Sequence, residues 1–149
     1  MGDKIPVSVL ALIHTPAPDF EVLLLERADR PGFWQSVTGS QDPGETLRET
    51  LLREVREETG LDAGLYPVRD WQHSNRYEIY PHWRHRYPDG ITHNTEHVFS
   101  LELPAAQAVT IAAAEHLAYR WLPWRAAAEK VFSWSNRDAI LDLSNRVGI

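Results

Sequence analysis

The sequence contains no cysteine. That excludes disulfide bridges and thiolate metal centres, and it fits a chain working in a reducing compartment, which we expect to be the cytoplasm. Long apolar runs are missing too. The N-terminal run from Val7 to Ile13 falls far short of the ~20 residues needed to span a bilayer, and it lacks a signal-peptide layout. Met1-Gly2 could open a myristoylation motif, but Pro6 stands where that motif wants Ser or Thr. Positive charge is in short supply: 15 Lys and Arg against 21 Asp and Glu leave a formal net charge of −6, so no nucleic-acid or membrane-surface partner is expected. No internal repeat or low-complexity tract is present. What remains is an ordinary globular composition, 43% hydrophobic and 24% charged over 149 residues. One domain covering 1–149 is expected, large enough for a substantial core.

The densest chemistry lies between Gly39 and Leu61. Gly39 is followed after five residues by Glu45, and after seven more by Arg53-Glu54-Val55; one spacer then precedes Glu57-Glu58 and another precedes Gly60-Leu61. Asp42-Pro43-Gly44 is turn chemistry. The helix should start near Glu45 or Thr46 and stop at Gly60, with Leu51, Leu52 and Val55 as its apolar stripe. On that helix Glu54, Glu57 and Glu58 fall within an arc of roughly 100°. Carboxylates crowded this way repel one another, so a cation belongs beside them, and oxygen-only ligands favour a hard ion such as Mg²⁺ or Mn²⁺. Taken alone, E-x-x-E-E is commonly a solvated acidic face. The complete spacing, seven fixed residue types and two aliphatic positions, would arise by chance on the order of once in 10⁹ windows.

Around this segment the chain reads as short strands: Val7 to Ile13, buried on both faces; Phe20 to Leu25, forming a hairpin with it; Phe33 to Val37; Trp71 to Tyr80; Glu96 to Leu103; and Glu115 to Leu122. His82 to Tyr87 is a basic and aromatic island, and Ala105 to Ala114 has no assignable element. Pro123 opens a short helix to about Val131, and Ser135 to Arg146 is a terminal helix with Ser135 and Asp138 as a softened capping box. Strands broken by one central and one terminal helix suggest a mixed sheet covered on both faces.

The Gly39–Leu61 segment is similar, without departure, to the signature of the Nudix hydrolases. The resemblance implies an α/β fold, an α/β/α sandwich with a mixed β-sheet, and metal-dependent hydrolysis of a diphosphate linkage. It implies Glu54, Glu57 and Glu58 as ligands of Mg²⁺ (Mn²⁺ as substitute), with one carboxylate free to take the water's proton. Arg53 and Glu45 would orient them. Glu115, beside His116 at a strand start, is the candidate ligand from outside the segment. The lead-in Val37-Thr38-Gly39-Ser40 departs from the family's usual Pro-Gly-Gly. Phe33 to Ser40, Arg84 to Tyr87, Asn94-Thr95-Glu96, Glu115 to Tyr119 and Ser133 to Arg137 resemble instead the branch of the family that removes pyrophosphate from 7,8-dihydroneopterin triphosphate in folate biosynthesis. That resemblance implies substrate contacts at Lys4, Arg27, Thr38, Tyr77, Glu78, Ile79, Tyr80 and Ser133. Trp34, Tyr77 and Tyr80 could stack on a flat pterin, Thr38 and Ser133 could hydrogen-bond it, and Lys4, Arg27, Arg84 and Arg86 could hold a triphosphate. The expected partner is a small-molecule triphosphate, and a monomer is plausible. Three alternatives stay open: a broad (deoxy)nucleoside triphosphate pyrophosphohydrolase such as a dATP diphosphatase, an RNA-end hydrolase, and a non-catalytic nucleotide-sensing module.

Overall fold

The structure, a computed structural model, describes residues 2–147. Its strands are β1 (Val7–His14), β2 (Glu21–Arg27), β3 (Trp34–Gln35), β4 (Val37–Ser40), β5 (Val68–Glu78), β6 (His93–Glu102) and β7 (His116–Pro123). Its helices are α1 (Leu47–Thr59), α2 (Trp124–Lys130), α3 (Trp134–Leu141) and α4 (Leu143–Val147). The sheet runs β3-β2-β1-β6-β5, with β4 also on β1 and β7 also on β2. β1 and β6 are parallel, from Val7 opposite Thr95 to His14 opposite Glu102, and the other pairings are antiparallel. The sheet is therefore mixed, as expected.

Strand alternation sorts side chains into two cores. Val9, Ala11 and Ile13 of β1, with Leu23, Phe99 and Leu101, pack on Leu51 and Val55 of α1. Leu10 and Leu12, with Val22, Leu24 and Val98, face Ala127, Ala128, Ile140 and Leu143 of the C-terminal helices. This is the α/β/α sandwich. Each buried Leu or Val contributes about 1.5–3 kcal/mol relative to exposure, which makes the β1 run Val9–Ile13, all 2% exposed or less, the backbone of both cores. Among the described residues no helix is long and apolar enough to cross a membrane.

α1 begins and ends where its sequence says. Glu49 N–H donates to Thr46 Oγ1 (3.1 Å) and Thr46 N–H donates to Glu49 Oε1 (2.8 Å), a reciprocal cap. Gly60 closes the helix in the left-handed conformation at φ 75°.

Four expectations are corrected. The β1–β2 hairpin is reduced to one pair, His14 opposite Val22. A long connection with two prolines does not hold a tight-turn register, so β4 takes β1 and β7 takes β2. The strand expected over Phe33–Val37 divides at Ser36, with β3 on β2 and β4 crossing to β1. Ser36 is held at that switch by Asn136, whose Oδ1 accepts from Ser36 N–H (2.8 Å) and whose Nδ2 donates to Ser36 Oγ (3.0 Å). The terminal helix is interrupted at Asp142, and its cap is Ser133, whose Oγ accepts from Asn136 N–H at 3.3 Å, while Ser135 is buried. The seventh strand begins at His116, leaving Glu115 just outside it.

Candidate active site

Arg53 braces the loop onto α1. Its Nε donates to Glu45 Oε2 (2.7 Å) and its Nη2 to Glu45 Oε1 (3.0 Å), a bidentate pair. Nη2 also donates to Ser40 O (2.9 Å), and Nη1 to Glu54 Oε1 (2.6 Å) and Glu57 Oε1 (2.9 Å). Glu45 further accepts from Asp42 N–H and Thr50 Oγ1, each at 2.9 Å. Arg53 above all holds the Glu45 carboxyl down at about 2. Both residues thus tie the loop to the acid row.

Inside that brace the carboxylates separate. Glu58 is 2% exposed, and its Oε1 has no hydrogen-bond partner. The nearest ring nitrogen, His116 Nε2, lies 3.6 Å away, too far for a hydrogen bond. Burial, then the Arg27 charge, pushes His116 down to about 4, so the imidazole is neutral and offers Glu58 no charge. Burial raises the Glu58 pKa well above the carboxylate range, with the Glu54 hydrogen bond and charge and then Glu115 adding to it. Glu54 is raised as well, by burial first, while its hydrogen bonds with Glu58 and Arg53 oppose. At i and i+4 on one helix, a buried and a partly buried carboxyl that cannot both ionise share a proton unless a cation joins them. Gly39 of β4 makes room for this pair: a Cβ there would lie 2.0 Å from Glu54 Cδ and Oε2.

Glu54, Glu58 and Glu115 border one polar cavity with Lys4, Arg27 and Arg86. Glu57 does not border it. Arg53 draws Glu57 outward, leaving its side chain 49% exposed. The expected cluster of three helix carboxylates is therefore drawn together only as the pair Glu54 and Glu58, with exposed Glu115 across the cavity. Among the described residues no three such groups stand close enough, as they are, to form a ligand shell.

A second, apolar cavity adjoins the first, and Arg27, Gln35, Thr38 and Arg86 line both. Its walls include Tyr77, Ile79, Tyr80, Trp83, Phe132 and Ser133. Tyr80 stacks on Trp83 at 5.5 Å between centroids, and the Arg27 guanidinium sits 4.3 Å over the Trp83 ring. Asp29 aligns both shared arginines, accepting from Arg27 Nε and Nη2 (2.8 Å each) and Arg86 Nη2 (3.1 Å). Those bonds, Arg27's first, hold Asp29 at about 2. Lys4 Nζ reaches Ser40 Oγ at 3.4 Å, and burial, then Arg86, lowers its pKa.

The eight expected substrate contacts all border one of the two cavities. Their chemistry is partly committed. Thr38 Oγ1 donates to Val9 O (2.9 Å), which leaves it as an acceptor, while capping Ser133 keeps its proton free to donate. Tyr77 OH accepts from Asn94 Nδ2 (3.0 Å), and burial raises its pKa. Glu78 pairs with Arg84 at 2.5 Å, and Ile79 is buried with its N–H on Thr92 O. Two further expectations fail. Trp34 is a core residue under Lys130 and lines neither cavity, because β3 turns it toward α2. Arg84 is taken by Glu78 and by Ile79 O, and it lines neither cavity. Sequence reasoning missed Asp29, Trp83 and Phe132. It also left Glu96 unassigned, although alternation along its strand puts it on the Val98 side, where a carboxylate is out of place.

A family model described as the NUDIX domain matches residues 4–143. The chain belongs to the Nudix family. It is 47% identical over 146 residues to the dihydroneopterin triphosphate diphosphatase of Escherichia coli K12, covering 94% of this chain and 95% of that one. The Haemophilus influenzae protein of the same name is 38% identical over 135 residues, 89% and 84% of the two chains. The solved E. coli dihydroneopterin triphosphate pyrophosphohydrolase superposes with TM-score 0.88 at 44% identity, covering 99% of this chain and 98% of that one. A C. elegans Ap4A hydrolase shares the fold, with TM-score 0.75 at 18% identity over 95% and 96% of the chains. The protein is a Nudix pyrophosphohydrolase, and Nudix hydrolases depend on divalent metal.

This Nudix chain fits such an ion. The partnerless Glu58 Oε1 and the shared proton of Glu54 and Glu58 mark a place where positive charge is wanting. Hard carboxylate oxygens are the right donors for a hard divalent cation.

Glu96 gives a separate stability test. It is 4% exposed, and burial pushes its carboxyl from 4.5 up to about 7, against the pull of the Ser135 hydroxyl. A raised acid contributes stability that is complete below the unfolded value and lost as pH rises through the folded one. Between pH 4 and pH 8 the wild type should therefore lose about 3 kcal/mol relative to Glu96→Gln. Urea unfolding of both at the two pH values measures this, and a constant difference would refute the burial account.

Proposed function

We propose that this Nudix enzyme hydrolyses 7,8-dihydroneopterin triphosphate to the monophosphate and pyrophosphate with Mg²⁺, Mn²⁺ substituting, as one Nudix domain acting as a cytoplasmic monomer. The observation that carries the reading is an aromatic cavity opening, past Arg27 and Arg86, onto the acid pair Glu54 and Glu58. A flat, polar-edged ring suits the first space and a polyphosphate the second. The two relatives named for this substrate support it across almost their whole length.

In this reading Tyr77, Glu78, Ile79 and Tyr80 form the ring wall, and Thr38 and Ser133 offer one acceptor and one donor. Lys4 and Arg27 hold the phosphate chain, Arg27 by its planar fork. Glu54, Glu57, Glu58 and Glu115 would hold the metal, which when bound would supply neutralisation of phosphate charge and a lowered pKa for the attacking water. Glu57 would have to give up its pairing with Arg53 to join them, and its half-exposed side chain leaves it room to do so. Arg53 positions Glu54. Water adds its oxygen to one phosphorus of the α–β anhydride, the bridging oxygen departs with the other, and a carboxylate of the row takes the water's proton.

Initial-rate assays with dihydroneopterin triphosphate and dATP side by side provide the test. The pterin substrate is expected to give the higher kcat/KM by about tenfold or more. A tenfold preference for dATP would replace the substrate with a deoxynucleotide and leave the reaction class intact.

A further inference from the structure

The floor of the aromatic cavity holds a group that the proposed chemistry does not use. Glu96 lies mid-sheet on β6, opposite Ser8 of β1 and Asn75 of β5. Its side chain faces the C-terminal helices, where the Ser135 hydroxyl is its polar neighbour. It is 4% exposed, and Oε1 has no hydrogen-bond partner. An isolated buried carboxylate oxygen is costly and is a poor choice for a core. Other polar side chains at this end are partly engaged: Thr38 donates to Val9 O and keeps only an acceptor, Ser133 caps Asn136 and keeps its proton, and Asn136 grips Ser36 at both ends of its amide.

We propose that Glu96 selects the ring, its carboxylate accepting two N–H groups from the lactam–amino edge of a 2-amino-4-oxo heterocycle. The inference rests on the reading that the ring enters this cavity. Pterin and guanine share that edge: a ring N–H and an exocyclic amino N–H, side by side and both donors. Adenine presents one amino N–H next to a ring nitrogen whose lone pair would face the carboxylate. Two N–H donors complete the oxygens of Glu96 and favour its ionised form. The charge-assisted pair is also the strong kind. Tyr77 and Tyr80 supply apolar faces beside the edge contact, which by themselves accept any flat ring. Discrimination then falls to the buried acceptor, since a site built to be hydrogen-bonded penalises the ring that leaves it unpaired.

Glu96→Gln keeps shape and removes the second acceptor. For dihydroneopterin triphosphate and for dGTP, kcat/KM is expected to fall about 30-fold, mainly through KM, while dATP stays within about threefold. Glu96→Asp keeps the charge on a shorter arm and should retain the wild-type order of substrates, which also covers the case in which the Gln protein folds poorly. Thermal unfolding of each variant confirms its fold. An equal change for all three substrates, or none, would overturn the assignment, since a structural carboxylate moves them together. The change in the dGTP to dATP ratio decides the role of Glu96 even if the wild type disfavours the pterin, an outcome that would sink the substrate proposal alone.

Discussion

Glu58→Gln is expected to lower kcat by about three orders of magnitude or more and to leave the protein folded. Glu58 is buried, its Oε1 has no partner, and Glu54 stands against it. A neutral amide cannot hold a divalent ion as a carboxylate does, and it cannot accept the water's proton. Folding should not suffer. A carboxyl whose pKa burial raises loses stability as pH rises through the folded value, so in chelator at pH 8 the Gln protein should unfold at the same temperature as the wild type or higher. The two readouts move in opposite directions, which a general packing defect cannot produce. Glu57→Gln should be milder, about 10- to 100-fold, because its side chain is half exposed and shared with Arg53. Turnover of Glu58→Gln within tenfold of wild type, with Mg²⁺ saturating, would remove the acid pair from the chemistry.

The difference between Glu57 and Glu58 marks the boundary of what the sequence discloses. Spacing on a helix is local, so Thr46, Gly60 and the shared face of Glu54 and Glu58 were legible from residue order. Which acid turns inward is decided by Arg53, whose five hydrogen bonds span Ser40, Glu45 and both neighbouring acids. That choice depends on a rotamer and on a loop, and no periodicity encodes it. Trp34 failed for a related reason. In a two-residue strand alternation is too short to separate a core ring from a stacking one. The partners of β1 were also illegible, because its parallel register with β6 joins residues far apart in sequence. Glu96 was legible in principle. An acid in phase with Val98 contradicts the pattern of that face, and such contradictions concentrate at working sites.

Gly39 yields the second large effect and isolates the geometry of the acid row from its charge. Gly39→Ala adds one methyl group whose position lies 2.0 Å from both Glu54 Cδ and Oε2. The backbone tolerates alanine, since Gly39 is not among the glycines at positive φ, so the conflict falls on Glu54. Its carboxylate must leave Glu58, Arg53 or both. Displacement of a positioned group by about 1 Å commonly costs ~100-fold, and kcat/KM is expected to drop by that factor or more with Mg²⁺ dependence shifted to higher concentration. Because the colliding atoms end a flexible side chain, stability should change little. The double variant Gly39→Ala/Glu54→Gln decides the cause. If the methyl acts through Glu54, the second substitution has little left to remove, and the pair loses about as much as Glu54→Gln alone. Losses that multiply would place the effect of Gly39 elsewhere, on the phosphate-facing strand itself, and would detach Glu54 from the role given to it.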